Sequence, residues 1–188
     1  MLIRDANPDE LAEIGAIRVA AYLADGFLSG SDDGYGPHLR DLGADGVDPV
    51  LVAVDDGVDA AGEAVGPANA AGKAAARPAG PALLGTVMLQ VWPRAGEIVR
   101  GPDEAEIRAL AVRPEARGAG VGKALVAAVI ARAAGVGVRH LVLCSQTEMK
   151  TAHHLYEEAG FARLPDRDWE PVPGVMLLAF GLELDHSS

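Results

Sequence analysis

Three glycines at alternate positions, Gly118, Gly120 and Gly122, stand between Arg117 and Lys123. Ahead of them Glu104 to Val112 is a mostly apolar run suited to a buried strand, which Pro114 cannot continue. A helix opens near Val121. Alternate glycines at a helix start leave backbone N–H groups bare and let a ligand approach the main chain closely. Such an N-terminus carries partial positive charge, so its natural guest is a phosphate. A Walker loop would need Gly where Arg117 stands and Ser or Thr where Ala124 stands. A dinucleotide fingerprint would need G-x-G-x-x-G tight against the strand, whereas this is G-x-G-x-G after five intervening residues. Taken alone, the six residues read equally well as a glycine-rich turn that caps a helix.

The elements that must position this loop come from the rest of the chain. At 188 residues it is long enough for one domain with a sizeable core. Hydrophobic residues make up 49% and charged ones 23%, which excludes a disordered chain. No apolar run reaches the ~20 residues needed to span a bilayer, and Met-Leu-Ile-Arg-Asp-Ala has no signal-peptide layout. A single cysteine, Cys144, excludes an internal disulfide and a thiolate metal cluster, so a reducing cytoplasm is the expected setting. The net charge is −11, yet residues 108–150 carry seven basic and two acidic residues, a local +5. A basic island around the loop suits a small polyanion, and the lack of a broad basic face argues against nucleic acid.

Hydrophobic spacing predicts a strand at 2–5 and a helix to about Ala24, opened by Asn7, Pro8 and a capping-box Glu10. A short helix near 37–42 and strands at 49–54 and 82–91 follow. Residues 55–81 are low in complexity, rich in Ala and Gly, and read as an expanded, mobile connection with a brief helix around 70–76. Then come the opening strand, a helix from Val121 to about Ala134, and a strand from Arg139 to Cys144. Ser145 and Glu148 form a capping-box pattern for a helix ending at Glu158 or Ala159, with Gly160 as its stop. Two strands, 161–164 and 174–184, flank a polar loop at 165–173. This order implies one α/β domain over 1–188 with a mixed sheet.

A second landmark lies on the last helix: Ala152-His-His-Leu-Tyr156-Glu-Glu-Ala-Gly160-Phe161. It resembles the pattern A-x-x-[Leu/Phe]-Tyr-x-x-x-Gly-Phe of the GNAT superfamily of acyl-CoA-dependent N-acetyltransferases. Arg117, Gly120 and Gly122 likewise resemble that superfamily's [Arg/Gln]-x-x-Gly-x-[Gly/Ala] pyrophosphate motif. The two patterns come in the family's order and spacing, and the resemblance extends over most of the chain. It departs at Met149, where many members have Asn, so the corresponding polar contact passes to Ser145 or Thr147 or is lost.

The resemblance implies a GNAT fold, with a mostly antiparallel twisted sheet of about seven strands and about four helices. It implies acetyl-CoA as acyl donor, no metal, and transfer to a primary amine in a ternary complex. Backbone N–H groups of Arg117, Gly118, Ala119, Gly120, Val121, Gly122 and Lys123 would wrap the pyrophosphate. The strand edge at Leu110, Ala111 and Val112 would pair with the pantetheine arm. Tyr156 is implied as general acid for the leaving thiolate, and Glu106, in Ala-Glu-Ile on the strand, as base for the protonated amine. Glu104 shares the face of Glu106 and is the second candidate. A solvent-facing strand carboxylate and a core aromatic are the ordinary alternatives for Glu106 and Tyr156.

His153 and His154 point about 100° apart on a helix and read as surface residues. Cys144 reads as a small core residue. Asp32, Asp33, Asp166, Asp168 and Glu170 make the expected acceptor periphery acidic, which favours a cationic acceptor. An acyl-CoA-binding regulatory domain without transfer activity is the alternative function. The acceptor is a small molecule or a peptide; no membrane partner is expected, and homodimerisation is common in the family.

Overall fold

The computed structural model describes residues 1–30, 34–56, 81–96 and 98–184. The expected connection over 55–81 and its helix around 70–76 lie outside the described residues, save for 55, 56 and 81, as do Asp32 and Asp33. Among the described residues eight strands form one sheet in the order β1-β2-β3-β4-β5-β8-β6, with β7 pairing β8. They are β1 (Leu2–Asp5), β2 (Val50–Val54), β3 (Leu83–Val91), β4 (Glu104–Val112), β5 (His140–Gln146), β6 (Ala162–Arg163), β7 (Trp169–Val172) and β8 (Val175–Glu183). Four helices flank it: α1 (Leu11–Ala24), α2 (Gly36–Asp41), α3 (Val121–Gly135) and α4 (Lys150–Glu158).

The two faces are sorted by strand alternation. Val87, Leu89, Ala105, Ile107, Leu141 and Leu143 point to one face, where Val121, Leu125 and Val129 of α3 and Tyr156 of α4 cover them. Val50, Val52, Val54, Met88 and Ala111 point to the other, beneath Ile14, Ile17 and Ala21 of α1. Each such Leu, Ile or Val contributes about 1.5–3 kcal/mol on full burial. On α1, Gly15 lets α2 come close, since a Cβ there would lie 2.5 Å from the Arg40 carbonyl oxygen.

Two expectations change at the C-terminal half. Ser145 does not cap a helix. β5 runs on through Gln146 because β8 supplies ladder partners as far as Leu177, and α4 opens only at Lys150. The polar segment 165–173 contains a 3-10 turn at Pro165–Arg167 and an eighth strand, β7, whose Trp169 pairs Leu177. Pro171 is tolerated there because β7 is an edge strand.

Among the described strands all pairings are antiparallel except one. β4 runs parallel to β5, and that ladder covers only Glu104–Ile107 against His140–Leu143. Beyond Ile107 and Leu143 the two strands part in the middle of the sheet, while β4 continues on β3 and β5 on β8.

Candidate active site

The opening between β4 and β5 starts at an irregularity in β4. Met88 pairs Arg108 and Thr86 pairs Ala111, so β4 spends one residue more than β3. Ala109, at φ 51°, absorbs the bulge in the left-handed region. The bulge flips the alternation: Ala105 and Ile107 pack toward α3, and after it so do Leu110 and Val112, while Ala111 turns to the α1 side. The Arg113 N–H donates to the Leu84 carbonyl at 2.9 Å. By alternation Ala111 also faces β3, and Leu110 and Val112 direct their N–H and C=O groups into the opening. Of the three strand residues expected to offer backbone to a ligand, Leu110 and Val112 thus face the opening and Ala111 faces β3.

At the end of that edge the chain turns through Pro114–Ala116 into the glycine loop. Gly118 and Gly120 hold φ of 79° and 78°, where a side chain would be strained, and the space beside both is open to beyond 4 Å. Gly120 caps α3 with no side-chain acceptor, and no acidic residue lies in the first turn. The bare N–H groups of Val121, Gly122 and Lys123 thus point outward at a positive dipole end. Gly122 serves close packing instead: a Cβ there would touch Leu155 Cδ2 at 3.3 Å and Val112 Cγ2 at 3.7 Å. A groove of about 280 Å³ runs on from Lys123 between α3 and α4, past Ile130 and Leu155.

The charge island reads differently in space than along the chain. The Arg117 fork is held by both Asp25 oxygens, at 2.7 and 3.0 Å, at the end of α1. Arg113 pairs Glu13 and Arg132 pairs Asp5. The loop's capacity for an anion therefore rests on its backbone and on exposed Lys123, with the arginine acting as a strap to α1.

The two candidate bases separate. Glu104 receives a bidentate grip from Arg167 (2.7 and 2.8 Å), the His140 Nδ1 at 2.9 Å and the Arg100 N–H at 2.7 Å. Burial alone raises its pKa, but these donors overturn that and hold it at about 2. Such a carboxylate takes no proton near neutrality; it pins β4 to β5 and to the 165–167 turn. Glu106 lies two residues on, 5% exposed, on the face of α1 and α2, and accepts the Gly96 N–H at 3.0 Å. Beside it Arg108 donates to Gln90 at 3.2 Å, and Gln90 to Asp48.

Tyr156 projects from α4 into the core against Phe161 and Phe180, with ring centroids 5.9 and 6.1 Å away. Burial pushes its hydroxyl up, so it stays protonated at neutral pH and keeps a proton to donate. His153 is not a surface residue. It is 7% exposed, its Nε2 lies 2.9 Å from the Gln146 carbonyl, and burial lowers its pKa, so as a neutral ring it secures the end of β5. His154 is exposed beside Glu158, as expected. Cys144 is half-buried. Of the two residues expected to take over the missing Asn's contact, Thr147 is tied to the Met176 carbonyl, whereas the buried Ser145 hydroxyl has no partner among the described residues.

Among the expected acceptor-side acids, Asp168 is gripped by Arg163 and by the Ala179 N–H, and Glu170 accepts the Gly174 N–H. These carboxylates shape their own loop. Sequence reasoning gave no role to Gly96, which stands in a loop without a pattern of its own.

Solved structures share this fold. A Salmonella typhimurium protein, yncA, solved with its cofactor acetyl-CoA, superposes with a TM-score of 0.63 at 20% identity, over 100% of this chain and 96% of that one. Ribosomal-protein-alanine N-acetyltransferase from Brucella melitensis gives 0.63 at 22% identity, over 98% and 100%. Residues 59–161 match the family described as Acetyltransferase (GNAT) family, and the chain belongs to it. Two curated relatives are both named mycothiol acetyltransferase. That of Cellulomonas flavigena is 39% identical over 43% of this chain and 24% of its own length. That of Geodermatophilus obscurus is 34% identical over 45% and 27%. The chain thus spans about a quarter of the length of the curated relatives it matches. Among the described residues no helix is long and apolar enough to cross a membrane, and no group of three or more His, Cys, Asp or Glu residues could hold a metal ion.

Proposed function

We propose that this chain is a single acetyltransferase domain that moves an acetyl group from acetyl-CoA to a primary amine, in the cytoplasm, by direct attack in a ternary complex. The observation that carries the reading is the opening of β4 from β5 directly beside the uncapped start of α3. A linear thioester fits it: the pyrophosphate on the N–H groups of residues 117–123, the amide-bearing arm along Leu110 and Val112, and the acyl carbon near the point where the strands part.

Chemistry then follows from the side chains that remain. The incoming ammonium gives a proton to Glu106, directly or through water, which the low value held at Glu104 prevents that residue from accepting. The amine lone pair attacks the carbonyl carbon, and the N–H of Leu110, the nearer of the two to the point where the strands part, would stabilise the oxyanion. The C–S bond breaks, the departing thiolate takes the Tyr156 proton, and the second proton that the nitrogen sheds on becoming an amide returns to Tyr156, directly or through water. The products are the N-acetylated amine and CoA.

The test is thiol release from acetyl-CoA across an amine panel, with calorimetry of acetyl-CoA binding alongside. Glu106→Gln should lower turnover by about 10²–10⁴-fold with donor affinity nearly unchanged. A loss below threefold removes Glu106 from the mechanism, and donor binding without thiol release under any amine leaves a binding domain in place of an enzyme.

A further inference from the structure

Glu106 meets a glycine. The N–H of Gly96, in the loop between β3 and β4, donates to Glu106 Oε2 at 3.0 Å, and Glu106 is buried at 5% exposure. A Cβ built on Gly96 would overlap Oε2 itself and lie 3.3 Å from Cδ and 3.5 Å from Arg108 Nη1. The φ of Gly96 lies outside the left-handed region, so the backbone there would accept an alanine. Glycine is required at this position by the close approach of the carboxylate and not by the turn.

The loop that carries Gly96 is itself fastened. The N–H groups of Arg94 and Ala95 both donate to the Val91 carbonyl at 3.0 Å, and the Val99 N–H donates to the Gly96 carbonyl at 3.4 Å. The Arg94 side chain pairs Asp45 and reaches Asp48, whose side chain is 2% exposed, at 3.3 Å. Asp48 also accepts from Gln90, which stands opposite Glu106 in the β3–β4 ladder and accepts from Arg108. The loop and the strand that bears Glu106 thus share one polar network, and Gly96 is where the loop's main chain meets the carboxylate. Arg108 on β4, His38 of α2 at 3.5 Å from Arg108 Nη2, and Tyr22 of α1, on which the Arg108 charge acts, are the titratable and charged groups nearby on this side. On β5 the neighbour of Glu106 is the apolar Val142, with Cys144 next on the same face.

We propose that Gly96 is a positioning residue of the transfer reaction: its N–H holds Glu106 Oε2 against the loop and so fixes the direction in which the carboxylate meets the acceptor ammonium. This rests on the reading of Glu106 as the proton acceptor. With one oxygen tied to a main-chain donor the carboxylate does not swing freely, and proton transfer starts from a set geometry. A hydrogen bond donated to the ionised form also favours that form, which keeps the group ready to accept a proton at neutral pH. A side chain at position 96 would take the space of Oε2 and turn the carboxylate away. The cost to the fold is small, because what has to move is the end of a side chain.

The experiment is a double-mutant cycle of Gly96→Ala and Glu106→Gln. It is read as kcat and KM with the primary amine that releases most thiol from acetyl-CoA, with melting temperatures alongside. Gly96→Ala should lower kcat at least tenfold while acetyl-CoA affinity by calorimetry stays within threefold of wild type. The acid limb of its kcat/KM profile should move up by about 1–2 pH units, because the ionised carboxylate loses a donor. In the Glu106→Gln background the same substitution should cost less than threefold. A merely structural glycine would lower both backgrounds alike and leave the acid limb in place. If Glu106→Gln lowers turnover and Gly96→Ala does not, or if the two losses multiply, the proposal falls and Glu106 remains the base. If Glu106→Gln stays within threefold of wild type, or no amine releases thiol, the base reading falls and takes this proposal with it. Should Gly96→Ala fail to fold, the wild type decides alone: its Gly96 amide resonance, followed by NMR, should titrate at the midpoint of the acid limb. No titration there overturns the proposal.

Discussion

Glu104→Gln separates a carboxylate that holds the fold from one that could take a proton. The substitution keeps the shape and removes the charge facing Arg167, His140 and the Arg100 N–H. A glutamate held at about 2 against an ordinary 4.5 corresponds to about 3 kcal/mol of stability at neutral pH. Its side chain is only 12% exposed, so little of that is lost to solvent screening, and stranding Arg167 without its partner points to the same range. For a chain of this size the melting temperature should fall by roughly 6–12 °C. The sign with pH follows from a folded value below the unfolded one. The contribution is complete above pH 4.5 and disappears as the pH falls through the folded value near 2. Urea unfolding of both proteins at pH 7, 5, 4 and 3 should therefore show the gap closing in acid. Turnover well below the melting transition should stay within threefold of wild type. A variant as stable as wild type that has lost a hundredfold in turnover would refute the assignment and make Glu104 the base.

Tyr156→Phe should cut turnover by about 10²–10⁴-fold while acetyl-CoA affinity stays within threefold, measured by stopped-flow and calorimetry. Burial raises the Tyr156 hydroxyl, so an alkaline loss of wild-type activity from this group should fall above the usual tyrosine range. Gly120→Ala adds a Cβ at φ 78° in open space, costing about 1–2 kcal/mol of stability. Because that Cβ enters the space proposed for a phosphate, acetyl-CoA affinity should fall at least tenfold; unchanged affinity would remove the pyrophosphate from this loop. Gly181→Ala places a Cβ 2.5 Å from His140 Nε2 and 2.6 Å from Leu164 Cδ1. Overpacking of about 1–3 kcal/mol should appear as a lower urea midpoint with an unchanged slope.

Local patterns carried most of the fold. The helical spacing on α1 and α3, the apolar strands β2 to β5 and the Gly160 stop are all short-range signals, and the elements stand within a few residues of where those signals put them. What escaped depended on partners distant in sequence. Ser145 has the residue type and spacing of a cap, but β8 claims its backbone first. β7 carries a proline and few apolar residues, and exists because the edge of β8 was available. Charge was the least legible property: a run of +5 along the chain is largely cancelled by Glu13, Asp25 and Asp5 arriving from the N-terminal elements. The two glutamates of β4 looked alike, and partners from afar distinguish them, Arg167 from 63 residues away and His140 from 36. The burial of Arg18 on α1 was not legible either, because an arginine on a helix is ordinarily a solvated one.

The single extra residue at Ala109 sets the arithmetic of the whole strand. With it, Glu106 and Arg108 share a face with Ala111 while Leu110 and Val112 share one with Ile107. Removing one residue between Arg108 and Ala111 would leave every side chain chemically intact. It would also put the two halves of the strand out of phase, either turning Glu106 toward α3 or burying the Leu110 and Val112 backbone edges against β3. Between Glu106 and Gly120 the chain therefore behaves as a ruler, whose length in residues is as strict a requirement as the identity of the residues at its ends.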